Sequence, residues 1–121
     1  MPRRRTQPDP AELVVLSLLR DEPLYGYALT QRAAQQSAGA VSLTPGVLYP
    51  LLKRLESQGL VFSSWEEVRS DRAEPGETGR RRKWYRLSPR GRRRLAQSIE
   101  AHRAYTRMMD AILGEPRAEG N

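Results

Sequence analysis

At 121 residues the chain has room for one small domain and a short appendage, and not for two separate domains. It carries no cysteine and one histidine, which removes disulfides, thiolate metal sites, thiol nucleophiles and almost every familiar catalytic constellation. The formal net charge of +7 comes chiefly from arginine and favours phosphate-bearing partners over acidic proteins or a membrane surface.

Residues 1–10, MPRRRTQPDP, combine three prolines with Arg3, Arg4 and Arg5 and predict a flexible basic arm, either tracking nucleic acid or solvated. No apolar region follows it and no run reaches membrane-spanning length, so a cytoplasmic protein is expected. PAELVVLSLLR, Pro10 to Arg20, has a proline start, an early glutamate and apolar residues too dense for a surface helix; it predicts a buried first helix. Asp21, Glu22 and Pro23 break it. A second helix is expected from Tyr25 or Gly26 to Ser37, with Tyr25, Leu29 and Ala33 on one face and Gly26 permitting close packing.

The third helix, about residues 44–58, is the best specified. Thr44 stands at the N-cap, Pro45 at the first helical position, and Leu43 and Leu48 at the two positions of a hydrophobic staple. Leu48, Leu51, Leu52 and Leu55 form one apolar face, and Gly59 stands where a left-handed residue would end the helix. The opposite face centres on Gly46, Pro50, Lys53 and Ser57, flanked by Tyr49 and Arg54. Small residues for close approach, cations for phosphates or guanine edges, and a tyrosine hydroxyl suit a nucleic-acid groove, although a plain solvated face would look similar. Pro50 inside the helix removes a backbone hydrogen bond, a cost of roughly 3 kcal/mol that argues for a shaped surface.

Two strands follow, about Leu60 to Val68 and Lys83 to Leu87, with Trp65 and Trp84 expected as core or cross-strand residues. The hairpin loop between them, residues 69–83, forms a wing whose returning end, Arg80, Arg81, Arg82 and Lys83, could clamp phosphate or pair internally with Asp71, Glu74 and Glu77. Glu66 and Glu67, at the loop's edge, are expected to be solvating charge. Ser88 and Pro89 open a last helix, residues 89–113, stopped by Gly114, with residues 114–121 as a flexible tail. Leu95, Ile99, His102, Thr106, Met109 and Leu113, with Tyr105 and Ile112 alongside, alternate at spacings of four and three, the seam of a helix pairing with its copy in a second chain. His102 is expected as an interface histidine. Arg90, Arg92, Arg93 and Arg94 oppose that helix's macrodipole, which proximity to phosphate would explain.

The fold class is therefore mainly α with a small β-hairpin: a winged helix-turn-helix over residues 11–88 and a long C-terminal dimerisation helix. Three segments, PLYGYAL from Pro23, PGVLYPLLKRLESQGLV from Pro45 and GRRRKWYRLSPRGRRRL from Gly79, together resemble the PadR family of winged-helix transcriptional regulators in its short form, over Glu12 to Leu113. The resemblance implies a homodimeric repressor on a palindromic operator, without a cofactor or catalysis, with Tyr49, Lys53 and Arg54 matching the family's recognition-helix positions and Tyr25, also expected to bind DNA, matching its aromatic in the second helix. It also implies an effector site at the dimer interface in some members. There the family's drug-binding examples carry a tryptophan, where this chain offers Tyr105, Met108, Met109 and Ile112. Two other classes fit the charge: a sequence-neutral architectural or RNA-binding protein, and an adaptor that docks protein partners.

Overall fold

The computed structural model describes residues 8–67 and 81–114. Helix α1 spans Pro10–Leu18 and is held at its start by Asp9, whose carboxylate accepts from the Ala11 N–H at 3.2 Å. Its Val15 and Leu16 are fully buried. It ends before the expected Arg20, the Leu19 and Arg20 N–H groups closing the last turn on the Val15 and Ser17 carbonyls. Strand β1, Leu24–Tyr25, was not expected. Tyr25 is extended rather than helical, and α2 starts after it, spanning Gly26–Gln36. Two residues carry no periodicity, and their strand character comes from pairing with Tyr85 and Trp84 much later in the chain.

The turn after α2 is fixed by Ser37, whose hydroxyl donates to the Ala33 carbonyl and accepts from the Val41 N–H, both at 2.8 Å. The Thr30 hydroxyl then donates to the Leu43 carbonyl at 3.1 Å, pinning the entry to helix α3, Pro45–Ser57. Leu43 and Leu48 are both 1% exposed, as a hydrophobic staple requires. Thr44 occupies the N-cap but its side chain makes no capping bond. Pro45 has no N–H, and the Val47 and Leu48 N–H groups already bond the Thr44 carbonyl, at 3.0 and 2.8 Å. Leu48, Leu51, Leu52 and Leu55 are buried, and each contributes about 1.5–3 kcal/mol. The helix ends in a Schellman motif: the Leu60 N–H reaches the Leu55 carbonyl at 2.9 Å, the Gly59 N–H reaches Glu56 at 3.0 Å, and Gly59 sits at φ 74°.

Strands β2, Val61–Glu67, and β3, Arg81–Leu87, complete an antiparallel sheet of order β1-β3-β2. Opposed pairs Val61/Leu87 and Ser63/Tyr85 face the core, while Phe62/Arg86 and Ser64/Trp84 face outward. The second strand thus begins two residues earlier than its sequence suggests. Glu66 is no mere solvating charge, because it accepts from the Trp84 indole N–H at 2.7 Å. Of the wing, only Arg81, Arg82 and Lys83 lie within the described residues; Arg80, Asp71, Glu74 and Glu77 lie outside them, as do residues 1–7 of the expected arm and residues 115–121 of the tail.

Helix α4 spans Pro89–Leu113, with Ser88 as its cap: the hydroxyl accepts from the Gly91 N–H at 2.9 Å and donates to the Gly59 carbonyl at 2.6 Å. Leu95 is buried in the chain's own core, and Ile99 packs against that core. This corrects the assignment of Leu95 to an intermolecular seam: the first half of α4 is used up by packing within the chain. No described helix is long and apolar enough to cross a membrane.

Two stability predictions follow from this packing. A Cβ at Gly91 would overlap the Leu60 carbonyl oxygen and come within 3.1 Å of Leu87 Cδ2. Because the obstacle is backbone, Gly91→Ala is expected to destabilise by about 2–3 kcal/mol or more in urea unfolding. Burial, reinforced by the nearby Glu56 and Tyr49, pushes the Tyr85 hydroxyl from its ordinary 10.0 up to about 12. The unfolded chain therefore releases this proton first, and the stability Tyr85 contributes is complete below pH 10.0 and is lost as the pH rises towards 12. Tyr85→Phe is expected to flatten that alkaline loss, read as the difference between the two unfolding-versus-pH profiles.

Candidate nucleic-acid interface

Burial of the leucine face of α3 decides what its other face presents. Gly46, Tyr49, Pro50, Lys53 and Ser57 are all exposed, together with Thr44 at the cap and Val47 beside them. Space is open around Gly46, where an added Cβ would meet nothing within 4 Å. Tyr49 is steadied from behind. A Cβ at Gly26 would collide with its hydroxyl and come within 3.0 Å of its ring, so the glycine of PLYGYAL is what lets the ring lie across the start of α2. That is the close packing expected of Gly26.

Arg54 does not point outward with Lys53. Its Nη1 donates to Glu12 Oε1 at 3.1 Å and to Gln58 Oε1 at 3.4 Å, and its Nη2 lies 3.7 Å from Asp9 Oδ2. Glu12 is buried, and its second oxygen accepts from Arg94 Nε at 3.0 Å. The sequence did not single Glu12 out, although Asp9 and Glu12 stand at the spacing of a capping box. Two of the arginines opening α4 have partners within the chain: Arg94 on Glu12, and Arg92, whose Nη1 donates to the Arg20 carbonyl at 2.9 Å.

The base of the wing is a set of cations laid on aromatic rings. On the outer face Arg82 lies 4.1 Å over Tyr25, which meets Trp84 edge-on at 5.1 Å, and Arg86 lies 4.8 Å over Phe62. On the inner face Arg81 lies 4.2 Å over the exposed ring of Trp65, and Lys83 lies between Trp65, Tyr85 and Glu56, its Nζ 3.7 Å from the carboxylate. Each such contact contributes about 0.5–1 kcal/mol at an exposed site, enough to orient a side chain. Because Glu56 belongs to α3, Lys83 ties the wing base to that helix. Tyr25 therefore stands in the sheet, apart from the α3 stripe, while Tyr49, Pro50 and Lys53 share it.

The residues assigned to dimerisation divide along α4. Leu95 and Ile99 serve the chain's own core, His102 and Met109 are half-buried, and Tyr105, Thr106, Ile112 and Leu113 are exposed. Ile112 and Leu113, at 72% and 71% exposure, form with Met108 an uncovered apolar end. Lys53 is exposed, whereas Arg54 partners a buried carboxylate, so removing Lys53 should leave stability nearly unchanged and removing Arg54 should lower it. Lys53→Ala is expected to change unfolding stability by less than about 0.5 kcal/mol, and Arg54→Ala to lower it by about 1–2 kcal/mol.

Comparison with known proteins bears on this geometry. A model of the Transcriptional regulator PadR-like family matches residues 15–97. The chain is 30% identical over 118 residues to transcriptional regulator Rv3488 of Mycobacterium tuberculosis, spanning 98% of this chain and 97% of that one. A PadR family transcriptional regulator from Eggerthella lenta superposes with a TM-score of 0.69 at 32% identity, covering 92% of this chain and 83% of the other. Bacillus subtilis PadR, solved in complex with operator DNA, superposes with a TM-score of 0.59 at 21% identity over 92% of this chain and 51% of its own, a likeness of fold.

Proposed function

The chain belongs to the PadR-like family of transcriptional regulators, which are not enzymes, and from that premise we propose that it is a homodimeric repressor bound to a palindromic operator. The observation that carries this reading is the α3 stripe: an exposed run of Gly46, Tyr49, Pro50 and Lys53 held outward by four buried leucines. Such a helix fits the major groove, with Lys53 and the Tyr49 hydroxyl at base edges or phosphates. Arg81, Arg82 and Lys83, already ordered on their rings, stand at the base of a wing that would lie along the backbone, with Arg80 beyond them. Tyr25 acts from behind, through Arg82 and Trp84. The exposed end of α4 supports pairing with a second copy. Repression is by occlusion in the cytoplasm, and any small molecule seated between the two helices would act by changing the separation of the reading helices.

Fluorescence anisotropy tests the reading, using DNA from upstream of the protein's own coding region, random duplex and single-stranded RNA at two salt concentrations. The upstream DNA is expected to bind about a thousandfold tighter than random duplex at moderate salt, and Lys53→Ala to lose about 1–3 kcal/mol of that preference. Equal binding of all three ligands, fading together with salt, would favour the sequence-neutral alternative. For the dimer, Ile112→Asp places a charge on the exposed end of α4, where it does no harm to the monomer fold. It is expected to convert the dimer to a folded monomer in sedimentation velocity, and an unchanged dimer would remove α4 from the interface.

A further inference from the structure

Glu12 is the third residue of α1, and its side chain is only 8% exposed. Each of its oxygens has one partner, and the two partners come from different helices: Arg54 of α3 at 3.1 Å and Arg94 of α4 at 3.0 Å. Helix α3 packs chiefly on β2 and α2, whereas α4 packs chiefly on α1 and β3. The carboxylate therefore ties together two helices that rest on different parts of the molecule. The tie is directional. Arg54 also lies 3.7 Å from Asp9, at the N-cap of α1, so two carboxylates at the start of α1 draw the α3 guanidinium to one place. As a source of stability a buried ion pair is weak, since apolar residues of similar volume serve as well; its distinctive contribution is to fix geometry.

We propose that Glu12 is a positioning residue for operator recognition: without touching DNA, it sets the angle between the reading helix and the dimerisation helix, and so the spacing of half-sites the dimer accepts. The proposal rests on the reading of α3 and α4 given above. One base pair added between half-sites rotates one relative to the other by about 35°, so a dimer with a rigid α3–α4 angle must discriminate spacing sharply.

The test begins with a duplex selected from a random pool by the unaltered protein, then lengthened and shortened by one base pair at its centre. The unaltered protein is expected to lose about tenfold or more in affinity for either change. In Glu12→Gln and in Arg94→Gln that penalty is expected to fall below about threefold, while binding to a single half-site stays within about twofold. Arg94→Gln leaves the Glu12–Arg54 contact in place and lies off the reading face, so it decides the matter if Glu12→Gln fails to fold. A full spacing penalty in folded variants overturns the proposal, as does a loss confined to thermal stability. If the unaltered protein selects no site at all, the operator reading fails separately. The clamp is then judged without DNA, by spin labels at Ser57→Cys and Ala104→Cys in a chain that has no other cysteine. Glu12→Gln is expected to broaden the distance distribution between α3 and α4, and an unchanged distribution overturns the clamp.

Discussion

The end of α3 is joined to the start of α4 through the backbone of Leu60. Its N–H ends α3 by reaching the Leu55 carbonyl, and its own carbonyl accepts from the Ser88 N–H at 3.1 Å, where β3 gives way to α4. Ser88 returns the tie by donating its hydroxyl to Gly59 and capping α4 through Gly91. Gly91 has no side chain because the Leu60 carbonyl occupies that space. Two glycines and a serine thus weld the end of one helix to the start of another across the sheet. Their requirements are chemical: a left-handed backbone at Gly59, a hydroxyl at Ser88 and an absent Cβ at Gly91.

The positive charge of the chain is divided between two uses. Arg54 and Arg94 share the buried Glu12 carboxylate, and Arg92 donates to the Arg20 carbonyl, so all three are held by groups of the chain itself. Arg81, Arg82, Lys83 and Arg86 lie on aromatic rings along the sheet and so hold defined directions at the surface. Lys53 stands exposed on the α3 stripe, with no partner recorded among the described residues. Specificity is expected to depend on these few placed groups more than on the net charge of +7.

Much of this was legible in the sequence because much of it is local. Spacing alone placed the leucines of α3, the Leu43–Leu48 staple, the Gly59 stop and the Ser88 start, since each depends on residues within a turn or two. What escaped depends on distant partners. Strand β1 consists of two residues whose pairing is supplied by Tyr85 and Trp84, and nothing in LY signals a strand. Arg54 lies on the flank of its helix as the wheel has it, yet it is turned inward by Glu12, 42 positions earlier. The α4 periodicity marked one apolar face and assigned all of it to a second chain, but periodicity does not show that its proximal part is covered within the chain. Leu95 and Ile99 meet α1 and the core, and only the distal turns remain for a second chain.

On the proposed function, α3 meets DNA in two copies held at fixed separation. Hydroxyl-radical footprinting of the unaltered protein on the tightest-binding duplex from its upstream region tests this most directly. Two protected patches of equal strength, related by a dyad and centred about 10 base pairs apart or a multiple of that, are the result expected of paired reading helices. A uniform, unphased protection along the duplex, or a single patch without a dyad, would contradict it.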